Sequence, residues 1–423
     1  MAVVGLRCRP ASSATSTPST QRDILRMSMN RSVPEGNRIL VVTLADLGDA
    51  LLTIPALQAL RQHLPHVGLD VLTTPVGAKV LRETRLVNDL IVFEKHRFNR
   101  PWSFLKPTNL VYAIQLWSTL RRGQYDACVI LRHLTSWFGT LKHAVLAAAS
   151  GAQRRYGLDN GRGFFLTDRI VDQGFGAEHE ADYWLKVVGL LGAAQQEHQA
   201  VRTSLDVARS GADPHRLLAD VKTGPLIALH PGSGAFAPAR RWYPARFAAL
   251  ADVLIDDGAR LLLVGGTEEA QLRHEVRSMM RHADDVIDLG GQTTVIELAA
   301  ILKQCTLFVG NDSGLSHLAA SVGTPVVAIF GPTDPRAWGP YGGQSWQVEQ
   351  HMHEGIELLS SGPHRALKAG IACSPCIYRG HKLGTPYGCP DRTCLQRIDV
   401  AAPLAVIRQR LAELVVQPCA STT

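Results

Sequence analysis

Residues 306–335, TLFVGNDSGLSHLAASVGTPVVAIFGPTDP, constrain the fold more than any other stretch of the chain. A short apolar run at Thr306 to Val309 reads as a buried strand. The small and turn-forming residues Gly310-Asn311-Asp312-Ser313-Gly314 end it and open a helix. Leu315, Leu318, Ala319 and Val322 recur at helical spacing, and Gly323 stops that helix. Pro325 to Phe330 is a second strand, and Gly331-Pro332-Thr333-Asp334-Pro335 is its exit loop. This is a βαβ unit whose two carboxyl-end loops are loaded with Gly, Asp, Ser and Thr. Ligands of doubly wound sheets sit in such loops. Free amides from Gly314 to Ser316, aligned with the helix dipole, suit a phosphate. An ordinary turn with a capping Asp or Ser has the same spacing.

The run GNDSGLSHLAA followed by GPTDP resembles the donor-sugar site of glycosyltransferase family 9, the ADP-heptose:lipopolysaccharide heptosyltransferases. Two further stretches match in the family's order: LADLGDALLTIPALQALR near the start and LHPGSG with RRWYPARFAAL in the middle. The resemblance spans about residues 38–415. It implies an α/β chain of the GT-B class, two Rossmann-like domains with parallel sheets facing each other across a cleft. It also implies a peripheral enzyme at the cytoplasmic face of the inner membrane, with ADP-heptose or a similar nucleotide sugar as donor and a lipopolysaccharide core precursor as acceptor.

The same resemblance distributes roles. Asp49 matches the family's acid directly after Gly and is the expected catalytic base, with an N-cap or first-turn Asp that only stabilises the helix as the structural alternative. Ser233, Arg240, Asp312, Ser313, Gly314, Leu315, Ser316, His317, Thr333 and Asp334 are expected at the donor. Arg240 stands where the family usually has Lys, so a planar fork replaces a point charge. Glu268 and Glu269, in Gly265-Gly266-Thr267-Glu268-Glu269, are equal candidates for the acid that meets the nucleoside, although first-turn glutamates also serve the helix dipole alone.

The residues themselves set the organisation. Residues 1–37 are rich in Ser, Thr, Pro and Arg and lack the apolar run of a secretory signal; a disordered head is expected, with Met27 or Met29 as alternative starts. Strands at 38–44, 68–73, 90–93 and 126–131 alternate with helical patterns, which indicates a parallel sheet. The expected division is an acceptor-binding domain at 38–205, a linker at 206–223 and a nucleotide-sugar domain at 224–400. An irregular Cys-rich insertion is expected at 355–395, and a closing helix and tail at 401–423. Gly232-x-Gly234-x-x-Ala237 formally fits a dinucleotide fingerprint, but APARRWY does not begin a helix at once, which argues against a nicotinamide dehydrogenase. An idle sugar-nucleotide-binding protein is the third reading.

The segment 93–106 combines Lys95, Arg97 and Arg100 with Trp102 and three Phe residues. It is either a solvated connector or a surface for anionic headgroups or a phosphorylated glycolipid. A net charge of +7 with 6% aromatic residues gives no nucleic-acid surface. Cys373, Cys376, Cys389 and Cys394 have the spacing of structural zinc ligands; free thiols or a disulfide are the alternatives. No paired-aspartate motif stands at a strand end, so no catalytic divalent ion and no required cofactor are expected.

Overall fold

The computed structural model describes residues 38–98, 106–193, 204–207, 224–234 and 237–416. In its first half, β1 (Arg38–Thr43), α1 (Leu47–Leu52), α2 (Ile54–His63), β2 (Gly68–Thr73), α3 (Pro75–Arg82) and β3 (Asp89–Val92) precede α4 (Pro107–Arg122) and β4 (Ala127–Ile130). Then come α5 (Trp137–Ser150), β5 (Arg154–Asp159), β6 (Asp168–Val171) and α6 (Glu180–Gly189). The six strands form a parallel sheet in the order β3-β2-β1-β4-β5-β6. Its order reverses beside β1, so the loops after β1 and β4 flank the crevice where such sheets bind ligands.

The second half contains β7 (Leu226–His230), α7 (Pro244–Asp256), β8 (Arg260–Leu263), α8 (Ala270–Ser278), β9 (Val286–Asp288) and α9 (Val295–Gln304). The opening βαβ unit follows as β10 (Leu307–Asn311), α10 (Gly314–Ser321) and β11 (Val326–Phe330). Next are α11 (Pro335–Trp338), β12 (Gln347–His351), β13 (Ile356–Ser361) and β14 (His364–Ala369). The sheet order is β12-β13-β14-β11-β10-β7-β8-β9, parallel except for the β12–β13–β14 meander. A small hairpin, β15 (Ile377–Arg379) and β16 (Lys382–Gly384), precedes α12 (Thr393–Gln396) and α13 (Ala401–Val416). This is the GT-B architecture.

Period-two alternation divides the apolar residues among three layers. Ile39 and Val41 face the layer between the sheets, whereas Leu40 and Val42 face the outer side covered by α4 and α5. In the second sheet Phe308, Val326, Ala328 and Phe330 face the shared layer, and Leu307, Val309, Val327 and Ile329 face α7 and α13. The two sheets therefore share one continuous apolar layer.

Three local expectations change. Residues 356–369, read as part of an irregular insertion, form β13 and β14 of the main sheet; their buried Ile356, Leu358, Ala366 and Leu367 stand among polar residues that hid the strands. The helical pattern after the first strand is two helices broken at Thr53, with Pro55 in the first turn of the second, where its missing N–H costs no hydrogen bond. The sheet also gains β5 and the edge strand β6, which the charged runs Arg154-Arg155 and Asp168-Arg169 conceal. The expected linker lies almost wholly outside the described residues.

The halves meet most closely where α1 crosses the start of α10. A Cβ on Gly48 would stand 3.0 Å from His317 Cδ2 and 3.3 Å from Gly314 Cα; one on Gly314 would stand 3.2 Å from Gly48 N. Gly48 sits inside the helix, so it serves this close approach rather than the tight turn its position suggests. Three polar ties add to the contact. His179 Nε2 donates to Gly339 O (2.8 Å), Tyr341 Oη to Asp182 Oδ1 (2.8 Å), and Leu205 N to Ser321 O (2.7 Å). Gly48→Val should force the two helix starts apart. Turnover should fall about tenfold or more through misplacement of groups across the cleft, with a small change in melting temperature. Wild-type kinetics in this variant, by steady-state assay, would show that the approach has no functional weight.

Candidate active site

Asp49 lies in the first turn of α1, at the carboxyl edge of the first sheet, and its side chain makes no cap hydrogen bond. Its Oδ2 accepts from Arg132 Nη1 at 3.2 Å. The carboxylate keeps 39% of its side-chain surface open. Burial pushes its pKa up, against the opposing pull of Arg132, Lys95 and Arg240. The N-cap of α1 is Asp46, so of the structural alternative only the first-turn acid position applies to Asp49.

Across the cleft, β10 ends at Asn311 and α10 begins at Gly314. Asn311 is fully buried: its Nδ2 donates to Pro231 O (2.7 Å) and Gly232 O (3.1 Å), and its Oδ1 accepts from Trp242 N (2.9 Å). It locks the His230–Gly234 loop to this strand end. Asp312 Oδ2 accepts from Thr333 Oγ1 (2.7 Å) and Arg240 Nη1 (3.3 Å). Arg240 Nη2 also donates to Ser233 O at 3.0 Å, so the guanidinium is held from two sides. Burial opposes its charge, but Asp312, Tyr378 and Asp49 outweigh that and raise its pKa.

The remaining donor-site candidates divide by what holds them. Ser313 precedes the first turn of α10, and its Oγ meets His230 Nδ1 at 3.1 Å. Gly314 and Leu315 begin that helix, whose first amides have no intrahelical carbonyl to reach. Ser316 turns its hydroxyl back to Ser313 O (2.6 Å). His317 is buried, its pKa lowered to about 4 by desolvation, so it is neutral, and its Nδ1 has no protein partner. Thr333 directs its proton to Asp312, while Asp334 caps α11 through Arg336 N (2.9 Å) and pairs with Lys368 (2.6 Å). Asp334 thus has a structural partner at each oxygen.

The two glutamates separate cleanly. Glu269 is buried: Oε1 accepts from Ser233 N and Gly234 N (both 3.0 Å), and Oε2 from Gly266 N (3.3 Å) and His230 Nε2 (2.9 Å). A Cβ at Gly232 would collide with its Oε1 at 1.9 Å, which requires glycine there. Ser233 has its hydroxyl on Ala237 O (2.9 Å). Glu269 therefore clamps the loop, and Glu268 is the exposed member of the pair.

Several residues of the cleft escaped the sequence reading. His133 is enclosed by Phe175, Tyr183 and Trp184; its Nδ1 donates to Asp172 (2.9 Å) and its Nε2 to Glu180 (3.1 Å). Desolvation resists its charge, but the two carboxylates raise its pKa to about 9, which keeps it an imidazolium. Arg132 and His133 closely follow β4 at the sheet's carboxyl edge, and that position was the available signal. Tyr378 lies on the β15–β16 hairpin of the second half, packed on Phe175 and Trp338. It is close enough to Arg240, Asp49 and Asp312 to feel their charges, and burial raises its pKa. The hairpin pairs with the first half through Phe175 N to Gly380 O (2.7 Å) and Gly380 N to Phe175 O (3.0 Å). His381 Nε2 donates to Asp172 O (3.1 Å) beside it.

Lys95 reaches the cleft mouth, paired with Asp46 at 2.5 Å. Arg97 pairs with Glu94 and covers the Tyr112 ring. Arg100 and Trp102 lie outside the described residues. Cys373, Cys376, Cys389 and Cys394 are free thiols, and burial followed by the charges of Cys389 and Cys373 raises the Cys376 pKa. Among the described residues, no group of three or more His, Cys, Asp or Glu is arranged to hold a metal ion.

The sequence model of glycosyltransferase family 9 (heptosyltransferase) matches residues 113–361, more than half of the chain. The chain belongs to glycosyltransferase family 9. It is thus a glycosyltransferase. Lipooligosaccharide heptosyltransferase 2 of Haemophilus ducreyi is 26% identical over 327 residues, covering 73% of this chain and 87% of that protein. Its counterpart from Haemophilus influenzae is 36% identical over 118 residues, covering 27% of this chain and 34% of that protein. An E. coli heptosyltransferase structure with ADP superposes with a TM-score of 0.63 at 18% identity, covering 88% of this chain and 99% of that one, and so shares the fold.

Glu269 gives this site a pH signature. Hydrogen bonds from His230 and three backbone amides outweigh burial and hold its pKa at about 2, below an unfolded value of about 4.3. Its stabilisation is therefore complete above about pH 5 and lost as pH falls toward 2. Glu269→Gln should lose about 3 kcal/mol at neutral pH and show a flatter decline in acid. Urea melts at a series of pH values test this; parallel wild-type and variant curves would refute the clamp.

Proposed function

We propose that this enzyme transfers heptose from ADP-heptose to an inner-core sugar of a lipopolysaccharide precursor, with inversion at the anomeric carbon. One observation carries the reading. Asp49 follows Gly48, which packs on Gly314, and Arg240 is held on Asp312 just before Gly314, so an acid of the first half and a cation of the second share one cleft. A base and a leaving-group cation at that relation are what a direct displacement needs. The heptosyltransferase relatives supply the sugar, and the ADP bound by the E. coli enzyme supports the nucleotide.

In this reading Asp49 accepts the acceptor hydroxyl's proton as its oxygen bonds to the anomeric carbon. The carbon–oxygen bond to the diphosphate breaks, and ADP leaves with the electron pair. Arg132 holds one oxygen of Asp49 and leaves the other for the acceptor. The raised pKa of Asp49 makes it a stronger base than an exposed carboxylate. Arg240, fixed by Asp312 and Ser233, and the amides that open α10 meet the developing negative charge. Neutral His317 offers Nδ1 to the donor, and Glu268 is the acid free to meet ribose hydroxyls. These groups supply proton transfer and charge stabilisation without a cofactor. The glycolipid acceptor places the enzyme at the cytoplasmic face of the inner membrane, with Lys95 at the mouth where acceptor enters.

Asp49→Asn keeps the shape of the side chain, so it should fold and bind ADP-heptose while losing about a hundredfold or more in kcat. Near-native turnover, measured as ADP release with acceptor present, would end the base assignment. Arg240→Ala removes a charge-assisted contact worth about 1.5–3 kcal/mol, so donor affinity should fall about ten- to a hundredfold. Unchanged calorimetric binding of ADP-heptose would move the cation role to another residue.

A further inference from the structure

The outer side of the first sheet carries an apolar surface that the site does not use. On α4, Leu110, Ile114 and Trp117 follow one helical stripe with Val111 beside it, and each keeps between 45% and 60% of its surface exposed. On α5, Trp137, Leu141 and Val145 recur every fourth residue, between 49% and 64% exposed. Beside these stripes the same helices bury Leu120, Leu146 and Ala149 in the core, so the apolar surface continues from the interior out to the exposed residues. Between them runs a groove floored by Phe93, Phe98, Phe138 and Leu146 and edged by Lys142. An exposed apolar surface this continuous marks a contact with another phase or partner.

Charge identifies the partner. Neither α4 nor α5 contains an Asp or Glu, while together they carry Arg121, Arg122 and Lys142. Burial, then Lys95 and Arg132, lowers the Lys142 pKa, which places these three cations near one another. Lys95 and Arg132 in turn act on Asp49. The cations of α4 and α5 thus face no carboxylate on their own helices, while Lys95 and Arg132, nearer the proposed base, are paired with Asp46 and Asp49. We propose that the α4–α5 face docks on an anionic lipid leaflet, with the groove taking a hydrocarbon chain and Lys142 meeting headgroup phosphate. The inference rests on a glycolipid acceptor and names the surface that delivers it. A second copy of the chain fits less well, because a twofold contact would set these cations against themselves with no facing carboxylate on either helix. Trp117 and Trp137 have the amphipathic rings that favour the membrane–water boundary.

The test uses the full-length protein with vesicles of phosphatidylethanolamine and phosphatidylglycerol, and phosphatidylcholine vesicles for comparison. Wild type should sediment with the anionic vesicles, less so at high salt. The combined variant Ile114→Ser, Leu141→Ser and Val145→Ser should bind about tenfold or more weakly. It should melt as wild type does and turn over a delipidated acceptor at the wild-type rate. Lys142→Gln should weaken binding to anionic vesicles only. Wild type that ignores vesicles, or a triple variant that binds them as wild type does, would overturn the proposal. So would a triple variant that merely turns a dimer into a monomer in sedimentation velocity, since the occupant would then be a second copy. Vesicle binding by a wild type that uses no delipidated acceptor would support the docking face and refute the acceptor reading instead.

Discussion

The crossing of α1 and α10 at Gly48 and Gly314 is the contact on which the site depends. Each glycine leaves room for the other's backbone, and a Cβ on Gly48 would come to 3.0 Å from His317. This closeness puts Asp49, the next residue, opposite the amides that begin α10. It also brings the open ends of two helices, each with positive partial charge, to one cleft. A single apolar layer shared by both sheets surrounds the crossing and fixes its geometry.

Two buried ionic clusters support the walls of that cleft without themselves being free for a substrate. Glu269 draws together His230, Ser233, Gly234 and Gly266, and so shapes the loop that holds Arg240. His133 does the same for Asp172 and Glu180, next to the strand segment that receives the β15–β16 hairpin. In both, a charge taken out of water has enough hydrogen-bond partners to remain charged. One cluster holds an acid ionised far below its usual range, and the other a base ionised far above it. Each defines a loop that carries a group of the site.

The β15–β16 hairpin joins the halves by a second route. It belongs to the second half by sequence, yet it pairs with Phe175 and brings Tyr378 near Asp49 and Arg240. The cleft is therefore bounded by three chain segments that are far apart in sequence. The apolar α4–α5 face lies outside it, on the outer side of the first sheet.

The sequence alone determined the elements whose cause is local. The βαβ unit at 306–335 was legible because apolar runs, Gly stops and turn residues act within a few positions, and the strands fall within two residues of expectation. The position of Asp49 at the sheet's carboxyl edge was legible because it follows the first strand closely, whereas its proposed role rests on the resemblance to the family's acid after Gly. Tertiary structure decided the rest. Glu268 and Glu269 are neighbours of identical chemistry, and only the fold shows which one is enclosed by the loop at Gly232. His133 and Tyr378 gained their places from partners 39 to 47 residues away in the first case and from another half of the chain in the second. Burial and long-range charge set their state, and neither quantity exists until the chain has folded.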